Sequence, residues 1–223
     1  MKILCLILAR SNSKSIKNKN LLKIKNKTLL NLTINFAKKL NFVDKIVFNT
    51  ESLMYSDLVK KYGLSEIFIR KKKLAKDTTS SIEVINDFIS KDKNFNYSHI
   101  LLLQPTTPYR NLDDFKKAYK ILKKNNYDSV ITINKVKDEP ERMLILGSKK
   151  IIINYLSNKK FSFQSRQKLK QKYIRSGSMY FFKTTNLNKY NSILGKKNYG
   201  LEVHGKYAIN IDDLDDYYLA NSY

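Results

Sequence analysis

A cationic loop without glycine follows the first apolar run of the chain. Residues 10–20, RSNSKSIKNKN, carry four cations, several hydroxyl and amide groups and no acid, a combination that suits an anion such as phosphate. Without glycine, the backbone cannot wrap a phosphate as a Walker A loop or a dinucleotide fingerprint does. Side chains must then make the contacts, with Arg10, Lys14 and Lys19 as charge partners and Asn20 as a polar contact. A solvated basic loop explains the motif equally well when it is taken alone.

Two further polar segments follow predicted strands. Residues 70–81, RKKKLAKDTTSS, combine lysines with one acid and four hydroxyl groups. The hydroxyls also suit a helix N-cap, and on composition alone this structural interpretation is preferred. Residues 101–110, LLLQPTTPYR, place two prolines directly after a buried strand, and prolines stiffen a turn. A rigid polar turn suits a binding site, although a tight connection between elements uses the same residues.

Acidic residues are concentrated near the C-terminus. Asn210 and Asp212 are two residues apart, and Asp213, Asp215 and Asp216 follow. Positions two apart on a strand point to the same side, and hard oxygen ligands there suit Mg²⁺ that bridges substrate phosphates. Asp212 is the predicted metal ligand. The three later acids fit the capping and dipole compensation of a following helix.

Apolar runs alternate with amphipathic segments through the first 135 residues. Strands are predicted at 3–8, 45–49, 66–69, 100–103 and 129–133, and helices at 29–40, 52–62, 80–89 and 112–124. This alternation is typical of a mostly parallel, doubly wound α/β sheet. Ligands of such sheets bind beyond the carboxyl ends of the strands. The three polar segments at 9–20, 70–81 and 104–110 are all expected there.

The pattern changes after residue 135. Two short strands, at 143–146 and 151–156, are predicted on either side of a turn, and a basic irregular segment follows at 159–172. Further strands are predicted at 178–182 and 207–211, with a last helix at 213–220. No linker is long enough to separate two domains, so residues 1–223 are expected to form one domain.

Composition sets limits on the class of protein. Of 223 residues 42% are hydrophobic, which supports a buried core rather than disorder. The formal net charge of +24 attracts anions such as nucleic acid, acidic membranes or phosphorylated small molecules, but the cations are spread through the whole chain. The single cysteine, Cys5, excludes an internal disulfide and is expected to be buried. His99 and His204 have no partner at metal or triad spacing.

Targeting signals are weak. No apolar segment approaches membrane-spanning length, and Arg10 stands where the cleavage site of a signal peptide over residues 1–9 would need a small side chain. We therefore expect a cytoplasmic protein without a membrane partner.

Taken in order, these segments resemble the acylneuraminate cytidylyltransferases, or CMP-sialic acid synthetases. The loop at 10–20 resembles the N-terminal nucleotide-binding motif of that family, and LAKDTTSS and LLLQPTTPYR resemble its second and third motifs. SRQ at 165–167, YIRSGSMYFF and NIDDLDDY resemble the later ones. The set covers most of the chain and is specific as a set. It implies the nucleotide-diphospho-sugar transferase fold, with residues 136–176 as a small inserted lobe that serves sugar binding and homodimerisation.

The resemblance also implies roles for individual residues. The residues expected to hold the CTP phosphates are Arg10, Lys14 and Lys19. Those expected to seat the nucleotide or its ribose are Asn20, Arg70, Ser80 and Ser81. Those expected to contact the acyl sugar are Gln104, Arg166, Gln167 and Tyr180, and Asp212 is expected to bind Mg²⁺.

Four positions depart from the family pattern. Asn210 stands where a metal-binding Asp is usual, which weakens one ligand or shifts the metal. Leu8, Lys17 and Lys71 stand where proline is common, which loosens these segments without removing charge.

The implied reaction joins CTP and a nine-carbon 2-keto sugar acid to give a CMP-sugar and pyrophosphate. The anomeric hydroxyl attacks the α-phosphorus in line, and no general base is evident in the sequence. The motifs do not distinguish sialic, legionaminic and pseudaminic acids. One alternative is the cytidylyltransferase for the eight-carbon lipopolysaccharide sugar acid. Another, of a different class, is a basic nucleic-acid-binding module with interleaved Tyr and Phe, but the charges are not clustered on one predicted element, so no nucleic-acid partner is expected.

Overall fold

The structure, a computed structural model, describes residues 1–156, 167 and 169–223 of the chain. Within them the strands are β1 (Ile3–Leu8), β2 (Lys23–Ile24), β3 (Lys27–Thr28), β4 (Lys45–Thr50), β5 (Ile67–Ile69), β6 (His99–Leu103), β7 (Ser129–Lys135), β8 (Leu144–Leu146), β9 (Ile152–Asn154), β10 (Tyr173–Lys183) and β11 (Asn198–Glu202). The α-helices are α1 (Leu29–Ala37), α2 (Leu53–Lys61), α3 (Ser81–Lys91), α4 (Leu112–Lys124), α5 (Thr185–Tyr190) and α6 (Leu214–Asn221). None of these helices is both long and apolar enough to cross a membrane.

Seven of the described strands form one sheet in the order β11-β7-β10-β6-β1-β4-β5. The pairs β1–β4, β1–β6, β4–β5 and β7–β11 are parallel, and β10 runs antiparallel to both β6 and β7. The central strand β1 and the last four residues of β6, which follow His99, are continuous apolar runs, as is typical of strands buried on both faces. The predicted mostly parallel sheet is confirmed.

Helices cover both faces of this sheet. One apolar cluster packs α1, α2 and α4 on one face, and a second packs α3 and α5 on the other. The doubly wound arrangement predicted from the alternation is therefore confirmed. Cys5 lies fully buried in the first cluster, where burial raises the pKa of its thiol to about 12 and keeps it protonated.

A third, smaller apolar cluster fixes the parts of the chain that carry the site. It joins Ile16 of the cationic loop, Ile24 of β2, Ile209 and Ile211, and Ala220 of α6. Burial of an isoleucine side chain stabilises a fold by roughly 1.5–3 kcal/mol. The cationic loop and the segment before α6 are therefore held side by side by apolar packing, which brings their polar residues together.

The strand predicted at 207–211 is wrong. Residues Gly205–Ala208 form a 3-10 turn, and the chain beyond it joins no ladder. The alternation of Ile209 and Ile211 arises from packing in the third cluster, not from a sheet. The strand that lies at the edge of the sheet next to β7 is instead β11. The sequence predicts no strand there, because Tyr199 and Leu201 are the only apolar residues of this short segment.

The two short strands predicted within residues 136–176 are confirmed. β8 and β9 form an antiparallel hairpin that is separate from the central sheet. Its apolar side chains point into solvent, with Leu146 70% and Ile152 62% exposed.

Candidate active site

Three cavities adjoin at the carboxyl edge of the sheet. The central cavity, of about 340 Å³, is lined by Arg10 and Lys19 of the loop, by Gln104 after β6, and by Asn210 and Asp212. A loop-side cavity of about 840 Å³ shares Arg10 with it and extends to residues 72–77. A β10-side cavity of about 660 Å³ shares Asn210 and Asp212 with it. The polar segments predicted to meet at this edge do meet there.

Lys19 and Asp212 mark the centre of this row. Lys19 is only 8% exposed, and its Nζ donates a 2.9 Å hydrogen bond to the carbonyl oxygen of Asp212 and lies 3.5 Å from Asp212 Oδ1. The 3-10 turn that carries Lys19 is entered through Asn18, whose left-handed backbone (φ 54°) suits asparagine. A lysine held this way presents a fixed positive charge to the central cavity.

Asn20 closes the base of the loop. It is buried, and its Nδ2 donates a 2.8 Å hydrogen bond to the carbonyl oxygen of Arg10. Asn20 also lines the central cavity. Asn20 thus fixes the backbone that carries Arg10. Its contact with the nucleotide stays a prediction.

Arg10 and Lys14 converge on one carboxylate. Arg10 Nη1 lies 2.5 Å from Asp77 Oδ1, and Lys14 Nζ lies 3.2 Å from Asp77 Oδ2. Hydrogen bonds from Lys14 and Arg10 lower the pKa of Asp77 below its usual range. The sequence shows Asp77 only as the single acid of LAKDTTSS. Its ion pairs with Arg10 and Lys14 depend on the fold, which places all three residues around the loop-side cavity.

Arg70 is connected to the cationic loop through Glu51. It is buried, its Nη2 lies 3.1 Å from Glu51 Oε2, and it lines none of the three cavities. Glu51 also accepts hydrogen bonds from the Ser11 backbone N–H at 2.6 Å and hydroxyl at 2.7 Å. Burial pushes the pKa of Glu51 upward, but the Ser11 hydrogen bonds and the Arg70 charge outweigh it and lower that pKa. Sequence reasoning missed Glu51, whose only signal is its place directly after β4.

Ser80 and Ser81 begin α3. The hydroxyl of Ser80 accepts from the backbone N–H of Glu83 at 3.2 Å, and the Glu83 carboxylate accepts from the Ser80 N–H at 2.7 Å. This reciprocal capping box confirms the N-cap interpretation of the motif. The contact of either serine with a nucleotide stays a prediction.

The residues predicted to contact the sugar lie in different parts of the structure and differ in exposure. Gln104 lines the central cavity, where Arg110 fixes its backbone through a 2.5 Å hydrogen bond from Nη2 to the Gln104 carbonyl. Tyr180 is half-buried on β10, and Gln167 is exposed. Arg166 lies outside the described residues.

Asn210 and Asp212 offer oxygens to a cation. Asn210 Nδ2 donates a 2.7 Å hydrogen bond to Asp212 Oδ2, which leaves Asn210 Oδ1 buried without a partner among the described residues. No group of three or more His, Cys, Asp or Glu side chains in the described ranges is placed to hold a metal. Oxygen donors are the ligands that Mg²⁺ prefers, so Asn210 and Asp212 would suit this ion as two of its ligands.

The later acids serve the helix, as predicted. Asp213 Oδ1 accepts from the Asp216 N–H at 2.9 Å, and Asp216 Oδ2 accepts from the Asp212 N–H at 2.8 Å. These bonds cap α6 and fix the backbone of Asp212.

Comparisons with known proteins agree with this geometry. The sequence matches the cytidylyltransferase family over residues 4–209. The post-translational flagellin modification protein B of Campylobacter coli is 31% identical over 199 residues, which are 87% of this chain and 83% of that protein. The N-acylneuraminate cytidylyltransferase of Streptococcus agalactiae serotype III is 27% identical over 219 residues, which are 97% of this chain. This chain spans about half of that relative, 52% of its length.

A solved structure shares the fold. A CMP:2-keto-3-deoxy-manno-octonic acid synthetase complexed with CTP superposes with a TM-score of 0.70 at 12% identity, over 100% of this chain and 98% of that one. At this identity the likeness concerns the fold alone. The family match, which extends from β1 almost to Asp212, shows more: this chain belongs to the cytidylyltransferase family.

Proposed function

We propose that this chain joins CTP to a sialic-acid-like nonulosonic acid and releases pyrophosphate. The observation that carries the proposal is the row of three cavities with Lys19 and Asp212 at its centre. A transferase for two large substrates needs two pockets that meet at the reacting atoms, and a charged junction suits the phosphates between them.

We assign one substrate to each end of this row. The nucleotide fits the loop-side cavity, with its phosphates reaching Arg10, Lys14 and Lys19 and with Asn20 at the base of the loop. Arg70, Ser80 and Ser81 are further predicted contacts of the nucleotide or its ribose, although none of them lines this cavity. The sugar acid fits the β10-side cavity next to Gln104, with Tyr180, Arg166 and Gln167 as its further predicted contacts.

The chemistry rests on positioning and charge. The anomeric hydroxyl of the sugar acid attacks the α-phosphorus in line, and pyrophosphate leaves toward Arg10 and Lys14. The buried Lys19 neutralises charge that builds on the phosphates during transfer. Mg²⁺ held by Asp212 and Asn210 would add positive charge there and acidify a bound hydroxyl.

A pyrophosphate-release panel tests the substrate. We expect release only when CTP is combined with a nonulosonic acid, tested as sialic, legionaminic and pseudaminic acids, and we expect EDTA to abolish it. Release with the eight-carbon acid alone would indicate the other cytidylyltransferase. No release with any acid, together with tight oligonucleotide binding that weakens steeply with salt, would favour the nucleic-acid-binding module.

We also propose that the β8–β9 hairpin forms a homodimer interface. Leu146, Ile151 and Ile152 are all more than half exposed, and a contiguous apolar surface of this kind is typical of a protein–protein contact. The inserted lobe at 136–176, the single domain over 1–223 and a cytoplasmic location stay predictions.

The double substitution Leu146→Lys with Ile152→Lys is expected to convert the dimer into a monomer, because two charges per subunit would be buried at the interface. Light scattering after size exclusion gives the mass. Leu53→Lys is the matched control, since Leu53 is also 70% exposed but lies on α2. A monomeric wild-type protein, or a dimer that survives the double substitution, would contradict the proposal.

A further inference from the structure

A bulge interrupts β10 beside the β10-side cavity. Arg175 pairs with Ile133 of β7, and the next paired residue, Tyr180, opposes Ile131. Four residues, 176–179, therefore stand opposite the single residue Thr132. The Thr132 hydroxyl closes this bulge, accepting from the Met179 N–H at 3.0 Å and donating to the Met179 carbonyl at 3.3 Å.

The bulge changes which side chains share a face. Residues 175 and 180 are five apart, so a regular strand would point them to opposite faces of the sheet. Their partners Ile131 and Ile133 are two apart and share one face, so Arg175 and Tyr180 also share one face. Re-aiming a side chain next to a site is a common use of a bulge.

The re-aimed arginine lies close to the candidate active site. Arg175 lines the β10-side cavity together with Asn210 and Asp212. Burial raises the pKa of the Tyr180 phenol. The charge of Arg175 acts to lower this pKa and the charge of Asp212 acts to raise it, so both charged groups lie near Tyr180.

Gly177 lets the bulge approach the site. Its φ of +78° favours glycine, and a Cβ there would stand 3.3 Å from Gln104 Oε1 and 3.5 Å from Asn210 Oδ1. The bulge backbone therefore packs directly against the side chains of the central cavity.

Arg175 differs from the other cations around the site in its partners. Arg10 pairs with Asp77, Arg70 with Glu51 and Lys135 with Glu202. Arg175 is exposed, and no acid of the described residues forms an ion pair with it. A guanidinium without a carboxylate partner, facing a cavity, is available for an anionic ligand.

We propose that Arg175 binds the carboxylate of the sugar acid and is a specificity-determining residue of this chain. The inference rests on the proposed function. In a 2-keto sugar acid the carboxylate is attached to the anomeric carbon, next to the attacking hydroxyl. That carboxylate must approach the anionic phosphates, so it needs a cation distinct from Lys19. The fork of a guanidinium matches a carboxylate with two parallel hydrogen bonds.

Steady-state pyrophosphate release by Arg175→Met tests this role. We expect the KM for the sugar acid to rise about 10- to 100-fold, the range for loss of a hydrogen bond to a charged group. The KM for CTP and the unfolding temperature should stay close to the wild-type values. Arg175→Lys keeps the charge and should recover part of the loss. Lys135→Met, which removes a cation of the same cavity that is already paired with Glu202, should change the sugar-acid KM far less.

A methyl ester of the same sugar acid sharpens the test. The wild-type protein should prefer the acid strongly over the ester, and Arg175→Met should lose that preference. An unchanged sugar-acid KM in Arg175→Met, a rise in the CTP KM instead, or an equal effect of Lys135→Met would overturn the inference. A wild-type protein that uses no nonulosonic acid would refute the proposed function itself, which is a separate outcome.

Discussion

Replacing Lys19 with methionine is expected to lower kcat by about 10²–10³-fold, the effect of removing one preorganised charge-stabilising donor from an active site. Methionine has a similar length and no charge, so it fills the buried space of Lys19 and removes only the ammonium group. That ammonium group is oriented by the Asp212 carbonyl at 2.9 Å, so it can meet the phosphates without reorganising.

The measurement is pyrophosphate release at saturating CTP and sugar acid. Lys17→Met is the matched control because Lys17 belongs to the same loop but is exposed, and we expect little change from it. A thermal unfolding curve separates lost chemistry from lost structure. A Lys19→Met protein that is folded and retains most of its turnover would refute the assignment of Lys19 to the phosphates.

Asp212→Asn is expected to lower kcat by a similar factor, about 10²–10³-fold, because it removes the one carboxylate that Asn210 and Lys19 both contact. The substitution keeps the shape of the side chain, so the loss reports on charge. It should also abolish the stabilisation that Mg²⁺ with CTP gives against thermal unfolding. Unchanged stabilisation by Mg²⁺ would remove Asp212 from the metal site.

Asn210→Asp is the complementary variant. It places a second carboxylate beside Asp212, and two like charges this close destabilise the protein when no cation is present. We expect a lower unfolding temperature in EDTA and a larger rise on addition of Mg²⁺ than in the wild type. If Mg²⁺ stabilises both proteins equally, residue 210 does not contribute to the metal site.

Local patterns predict most of the fold. β1 and α4 have the predicted bounds because a buried strand is a continuous apolar run and because α4 has a cap at Asn111 and acids in its first turn. β11 could not be predicted, since an edge strand with an exposed Asn198 and Gly200 depends on pairing with β7. The alternation of Ile209 and Ile211 led to a wrong strand prediction. Two apolar residues two positions apart can also pack on one surface without belonging to a sheet.

In the candidate site, too, some features can be predicted from the sequence and others depend on tertiary contacts. The sheet topology alone predicts that Arg10, Lys19 and Gln104 meet at one edge, because each follows a parallel strand. The roles of Glu51 and Asp77 depend on contacts across the fold, with Ser11 40 residues away from Glu51 in sequence. The bulge in β10 depends on its register with β7, which no local pattern specifies.

Asp77 gives the cationic loop a resident counter-ion. Without nucleotide, Arg10 and Lys14 would repel each other, and the shared carboxylate compensates both charges and keeps the loop in place. On the proposed function, a triphosphate that binds Arg10 and Lys14 would have to displace this carboxylate, so its binding would be an exchange of anions and not the filling of a bare positive site. The free energy of binding is then the difference between two sets of ion pairs. We therefore expect Asp77 to lower the affinity for the nucleotide, and the reverse exchange would help pyrophosphate to leave.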